Sequence, residues 1–168
     1  MIISGFQSLS LLDYPGIICS TIFTQGCPFR CVYCHNPELI PTQTANPLKT
    51  VKEEDIFQHL TRRRKIVEGV CVTGGEPTVH PDLPIFIKKL KRLGMLVKLD
   101  TNGVHPRMIE QLLKDRLIDF IAMDLKHTWD RYSEVIGIKQ KSVIENCRET
   151  FHLIQESGIL HEFRTTVY

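Results

Sequence analysis

Long hydrophobic runs are missing from this 168-residue chain. No stretch reaches the roughly 18–20 consecutive apolar residues that cross a bilayer. The opening residues, Met1-Ile-Ile-Ser-Gly-Phe6, lack the basic start and long apolar centre of a signal peptide. Both absences point to the cytoplasm and away from a membrane. A surplus of either charge is missing too: 21 Lys and Arg face 19 Asp and Glu, a formal net charge of +2. That is too little to argue for nucleic acid or an acidic membrane surface. The one basic run, Arg62-Arg63-Arg64-Lys65, closes a helix-like segment that begins with Glu53-Glu54-Asp55. This is the order a helix dipole favours, so the run reads as a solvated helix end.

The six cysteines do not look like a disulfide framework. Cys19, Cys71 and Cys147 stand alone in apolar contexts and read as small buried hydrophobes in a reducing compartment. Cys27, Cys31 and Cys34 are different. They form a Cys-x3-Cys-x2-Cys triplet inside Thr24-Gln-Gly-Cys-Pro-Phe-Arg-Cys-Val-Tyr-Cys-His-Asn-Pro37, and three thiolates on so short a loop demand a soft metal. Two outcomes fit: a 4Fe–4S cube with one iron left open, or a zinc ion that borrows a fourth ligand. Zinc usually takes two close Cys-x2-Cys pairs, or one pair and a distant pair of histidines, and the chain has neither. A zinc site would have to recruit His59, Cys71 or His80 without any spacing to recommend them. No further cysteine-rich segment lies between Cys34 and Gly74, so one cluster is the expected complement.

Downstream, Val70-Cys71-Val72-Thr73-Gly74-Gly75-Glu76-Pro77 reads as a buried strand meeting a tight loop. Glycines there let backbone approach a ligand closely, and a neighbouring carboxylate can hold an ammonium group. A plain strand-to-helix turn would use the same residues.

Together and in this order, the cysteine triplet and Gly-Gly-Glu-Pro resemble the radical S-adenosylmethionine (SAM) enzymes. The resemblance implies that Cys27, Cys31 and Cys34 ligate one 4Fe–4S cluster. It implies that Tyr33 packs near the adenine and that Gly74, Gly75 and Glu76 receive the methionine amino group. Lys98-Leu-Asp-Thr-Asn-Gly103 and Ala122-Met-Asp-Leu-Lys126 are similar to the glycyl-radical-enzyme activases within that family. By this resemblance Asp100, Asp124 and Lys126 surround the SAM ribose and carboxylate, with a monovalent cation between the two aspartates. Acids at strand ends also cap following helices, which is the structural alternative for both. Arg164 could meet a carboxylate bidentately or be an ordinary surface residue. Ser10-Leu-Leu-Asp-Tyr-Pro-Gly16, Tyr33-Cys-His-Asn-Pro-Glu38 and Glu162-Phe-Arg-Thr-Thr-Val167 resemble the activating proteins of anaerobic ribonucleoside-triphosphate reductase.

Periodicity predicts alternating strands and helices, hence an α/β fold. Strands are expected at Ile17 to Phe23, around Val70, at Met95 to Leu99, at Leu117 to Met123 and from His161 to Tyr168. Helices are expected near Lys52 to Lys65, Asp82 to Leu93, Pro106 to Lys114 and Lys141 to Ser157, with a Pro- and Thr-rich loop around Pro41 to Pro47. Every candidate site residue is then expected beyond a strand's C-terminal end, where parallel sheets bind ligands. Residues 1–16 should form an N-terminal arm or hairpin and 17–168 a partial (β/α) barrel of the radical SAM type. The resemblance implies that the last strand and helix of that barrel are absent from this chain.

The implied activity is reductive cleavage of SAM at the cluster to a 5′-deoxyadenosyl radical, which takes a glycine Cα hydrogen from a partner enzyme. An anaerobic ribonucleoside-triphosphate reductase is the implied partner, and a low-potential flavodoxin or ferredoxin the implied electron donor. Two alternatives stay open: a radical SAM enzyme acting on a small molecule or RNA, and a non-catalytic cysteine metal-binding module.

Overall fold

The computed structural model describes residues 1–40 and 49–167; the expected loop around Pro41 to Pro47 lies outside the described residues. Six strands form one unclosed sheet in sequence order: β1 (Ile3–Ser10), β2 (Cys19–Thr24), β3 (Gly69–Gly74), β4 (Leu96–Thr101), β5 (Phe120–Asp124) and β6 (Leu160–Arg164). β1 runs antiparallel to β2, and β2 through β6 are parallel. Helices α1 (Glu53–Arg63), α2 (Leu83–Arg92), α3 (Pro106–Lys114), α4 (Tyr132–Ile136) and α5 (Lys141–Glu156) connect them. This is a mixed α/β partial barrel, as expected.

The two faces of the sheet differ because successive side chains alternate. Ile22, Val72, Leu99 and Ile121 are fully buried and join the main core with Leu83, Phe86, Ile87 and Leu90 of α2. The opposite face carries Cys71, Lys98 and Asp100, and the register sets Asp100 beside Ala122 and Ala122 beside Glu162, with Asp124 beside Arg164. Cys19 and Cys71 form a small cluster there with Tyr14. Among the described residues no helix is long and apolar enough to cross a membrane.

Several boundaries differ from the pattern-based ones. β5 begins at Phe120 rather than Leu117, because the Asp119 carboxylate turns back to accept from the Val97 amide at 2.7 Å. Leu117 and Ile118 are apolar for burial in that turn, not for pairing. Asp100 lies inside β4 instead of beyond it, since the ladder continues through Thr101 opposite Met123. Gly74, Asp124 and Arg164 are the last residues of their strands. The short α4 has no counterpart among the expected helices.

Candidate functional site

β2 ends at Thr24, and the chain turns through Gln25 and Gly26 into Cys27. The loop after β3 presses directly onto this turn. Gly74 has φ +114°, and a Cβ there would lie 2.4 Å from the Thr24 nitrogen; a Cβ on Gly75 would lie 2.3 Å from the Gly26 oxygen. The contact is sealed by the Gly75 amide donating to Thr24 O at 2.9 Å and the Glu76 amide to Gly26 O at 2.7 Å. The two glycines are therefore required by backbone approaching backbone. On its far side the cysteine loop docks on α4, where the amides of Arg30 and Val32 donate to Ile136 O (2.8 Å) and Val135 O (3.2 Å). Arg30 Nη1 also braces the Cys27 carbonyl at 3.0 Å.

All six thiols are free. Burial pushes the Cys27 thiol up to about 11 and the Cys31 thiol upward as well, so each is held as a neutral thiol until a metal centre offsets the cost of the thiolate. Among the described residues no three His, Cys, Asp or Glu side chains are gathered so as to hold a single metal ion. The groups a zinc site would need are engaged elsewhere. His59 meets the Ser8 carbonyl at 3.2 Å, His80 meets the Gln25 carbonyl at 2.8 Å, and Cys71 is buried against Tyr14.

Glu76 has another role besides facing the cavity. It is 1% exposed. Its Oε1 accepts from the Thr78 amide at 3.1 Å, from the Thr78 hydroxyl and from the Thr101 hydroxyl at 2.8 Å, while Oε2 accepts from the Asn102 amide at 2.6 Å. Burial raises its carboxyl, against the pull of these donors. The carboxylate thus ties the loop after β3 to the end of β4. Asn102 completes the link by directing Nδ2 at Cys27 Sγ, 3.7 Å away. The sequence pattern assigns no role to Thr101 or Asn102; their signal is their position between Asp100 and Gly103.

The opposite wall is charged. Asp100 and Asp124 are bridged by Arg164, whose Nε donates to Asp124 at 2.9 Å and Nη1 to Asp100 at 3.2 Å. Lys126 donates to Asp124 at 2.8 Å, and its ammonium lies 5.9 Å from the Tyr33 ring centroid. Tyr33 OH in turn donates to the Lys126 carbonyl at 3.0 Å, so this pair ties the cysteine loop to the charged wall. Lys98, also missed from sequence, is buried beneath, donating to Asp100 at 2.5 Å. Neither aspartate caps a helix.

Cys27, Cys31, Cys34, Tyr33, Gly74, Gly75, Glu76, Asp100, Asp124, Lys126 and Arg164 all line one cavity of about 350 Å³, within the range of small-ligand pockets. Residues 21–168 match the radical SAM superfamily. The chain belongs to that superfamily. A protein of Methanocaldococcus jannaschii, named for glycyl-radical enzyme activation, is 33% identical over 98% of this chain and 68% of its own length. Pyruvate formate-lyase 1-activating enzyme of Escherichia coli K12 is 31% identical over 85% of this chain. The chain spans 59% of that relative and about half of a Clostridium pasteurianum pyruvate formate-lyase-activating enzyme, 53%. Among solved structures, QueE from Escherichia coli superposes with a TM-score of 0.56 at 15% identity, covering 98% of this chain and 94% of that one. At such low identity this likeness speaks for the fold alone.

Proposed function

We propose that this chain carries the catalytic core of a glycyl-radical enzyme activase. The observation that carries the reading is the cavity itself: three thiols of one loop face an arrangement of two carboxylates, a lysine and an arginine across about 350 Å³. The donor set suits a 4Fe–4S cluster with one open iron, because three thiols of one loop line the cavity and His59, His80 and Cys71, which a zinc ion would have to recruit, are engaged elsewhere. Cys27, Cys31 and Cys34 would hold the cluster. When bound, it supplies the electron that cleaves the SAM sulfonium to a 5′-deoxyadenosyl radical, chemistry that belongs to the cofactor.

The chain's own residues bind and orient. Tyr33, held by its bond to the Lys126 carbonyl, offers a ring face to the adenine. Gly74 and Gly75 line the cavity and would receive the methionine ammonium; the Glu76 carboxylate adds negative potential there while its oxygens stay on their own donors. Lys126 and Arg164 provide positive charge for the SAM carboxylate, and Asp100 and Asp124 provide acceptors for the ribose hydroxyls. No general base is needed.

For the partner, the phrases Ser10 to Gly16 and Glu162 to Val167 favour an anaerobic ribonucleoside-triphosphate reductase, whereas curated relatives are named for pyruvate formate-lyase. The free thiols suit a reducing cytoplasm supplied by flavodoxin or ferredoxin. The test is anaerobic reconstitution of the chain and of Cys31→Ala, reduction with dithionite, addition of SAM and chromatography of the products. 5′-Deoxyadenosine from the wild type and none from the variant is expected; zinc binding without iron overturns the reading. Paramagnetic resonance after mixing with each candidate reductase or lyase then identifies the partner by its glycyl radical. SAM cleavage with no radical on either protein moves the substrate to a small molecule or RNA.

A further inference from the structure

Asp100 and Asp124 stand on neighbouring strands of the same sheet face, an arrangement whose potential draws a cation between them. The chain supplies its own. Arg164 reaches across β5 and divides its fork, Nε donating to Asp124 Oδ1 at 2.9 Å and Nη1 to Asp100 Oδ2 at 3.2 Å. The remaining oxygens are also taken: Lys98 Nζ donates to Asp100 Oδ1 at 2.5 Å and Lys126 Nζ to Asp124 Oδ2 at 2.8 Å. All four carboxylate oxygens therefore already accept a charge-assisted hydrogen bond. Glu162 adds a third acid, its Oε1 lying 3.7 Å from both Lys98 Nζ and Arg164 Nη1.

Three acids thus face three bases, and the formal sum is zero. A sodium or potassium ion entering between the aspartates would have to displace the guanidinium from its oxygens. It would also leave one charge uncompensated beside Lys98 and Asp100, whose side chains are 2% and 15% exposed, although Asp124 and Arg164, at 32% and 39%, stand closer to solvent. Removing ions from water into such a place is costly unless every charge is matched. This arrangement of charges does not fit the ion that the resemblance implies.

We propose that Arg164 is a resident cation, filling the position between Asp100 and Asp124 that a monovalent ion would otherwise take, so that the cofactor cavity requires neither sodium nor potassium. The purpose of this cation rests on the assignment of the cavity to SAM; its electrostatics do not. A planar fork presents its donors to two carboxylates from fixed directions, whereas a lysine offers a compact point charge on a flexible stem. Its occupancy is also independent of the salt around it, unlike that of a dissociable ion.

Thermal unfolding of the protein without cluster or SAM, in sodium or potassium chloride against choline chloride at equal ionic strength, tests this directly. The wild type should show the same midpoint in all three salts. Arg164→Ala should show a saturable rise with sodium or potassium, roughly 3–6 °C at about ten times the dissociation constant, and none with choline. Arg164→Gln, which keeps more of the side-chain bulk, carries the same expectation should the alanine variant fail to fold. A saturable sodium- or potassium-specific rise in the wild type overturns the proposal. So does indifference of the folded Arg164 variants to all three salts. Because no cofactor is present, failure of the activase reading leaves this result standing, and its failure leaves the activase reading to its own test.

Discussion

The two walls of the cavity are held by different physics. The cysteine wall is fixed by backbone against backbone: amide hydrogen bonds of 2.7–2.9 Å join the loop after β3 to the turn after β2, and glycines stand where any Cβ would collide. The opposite wall is fixed by charge, with Lys98, Lys126 and Arg164 shared between Asp100 and Asp124. The first arrangement tolerates almost no change of shape, because a displaced carbonyl has nowhere to go. The second tolerates shape change but responds to salt, pH and any altered charge. Under the proposed function, a cluster would need its thiolates in fixed positions, whereas a flexible cationic cofactor with a carboxylate would need a balanced field, and each wall would suit its task.

The sharpest way to break the first wall is Gly75→Ala. The new methyl would stand 2.3 Å from the Gly26 carbonyl oxygen, which is backbone and cannot rotate away. Loss of about 3 kcal/mol is expected, the upper end for overpacking, visible as a fall of roughly 6–12 °C in thermal midpoint. Iron retained after anaerobic reconstitution should fall with it. An unchanged midpoint would mean that the loop after β3 has room to shift.

Sequence patterning went furthest where one short-range rule decided the outcome. The helix from Pro106 to Lys114 is the one expected, since its proline start and apolar spacing agree. The cysteines, Gly74 and Gly75 come together on one cavity, although the need for glycine at 74 and 75, which the sequence ascribes to closeness to a ligand, is set first by Thr24 and Gly26. Helix α4 was not legible: Tyr132–Ile136 is too short for a periodic signal, and its value lies in two carbonyls offered to the cysteine loop. Lys98 was also hidden, because a lysine between Val97 and Leu99 looks like a solvent-facing strand residue until Asp100 and Glu162 are seen beside it. Tertiary partners decide such residues, and no local pattern carries them.

Glu76→Gln tests the joint between the walls. The carboxylate accepts from two backbone amides, those of Thr78 and Asn102, on different oxygens. A glutamine offers one oxygen, so one buried amide must face an NH₂ group. A cost of about 2 kcal/mol is expected, read from the urea midpoint at constant slope. A near-neutral result would mean that water replaces one of these bonds. Asp124→Asn probes the charged wall alone. Solvent reaches 32% of the Asp124 side chain, so its ion pairs should contribute only about 1 kcal/mol. Raising salt from low to about 1 M should shrink the difference between wild type and Asp124→Asn, yet leave the penalty of Gly75→Ala unchanged.

The smallest effect is that same contribution titrated by acid. Burial pushes the Asp124 carboxyl upward, but Lys126 and Arg164 together outweigh it and hold the folded-state value below the usual carboxylate range. A depressed native value means that the unfolded chain binds the proton first. The stabilisation is therefore fully present at neutral pH, begins to fade near the unfolded value of about 3.9, and is lost as pH falls through the lower native value. Urea unfolding of wild type and Asp124→Asn between pH 7 and 3 should give curves that are separated at the upper end and only begin to converge below about pH 4. Convergence already at pH 6 would mean that the guanidinium of Arg164 is not paired with Asp124 in solution, and the contrast between a wall built by shape and a wall built by charge would fail at that residue.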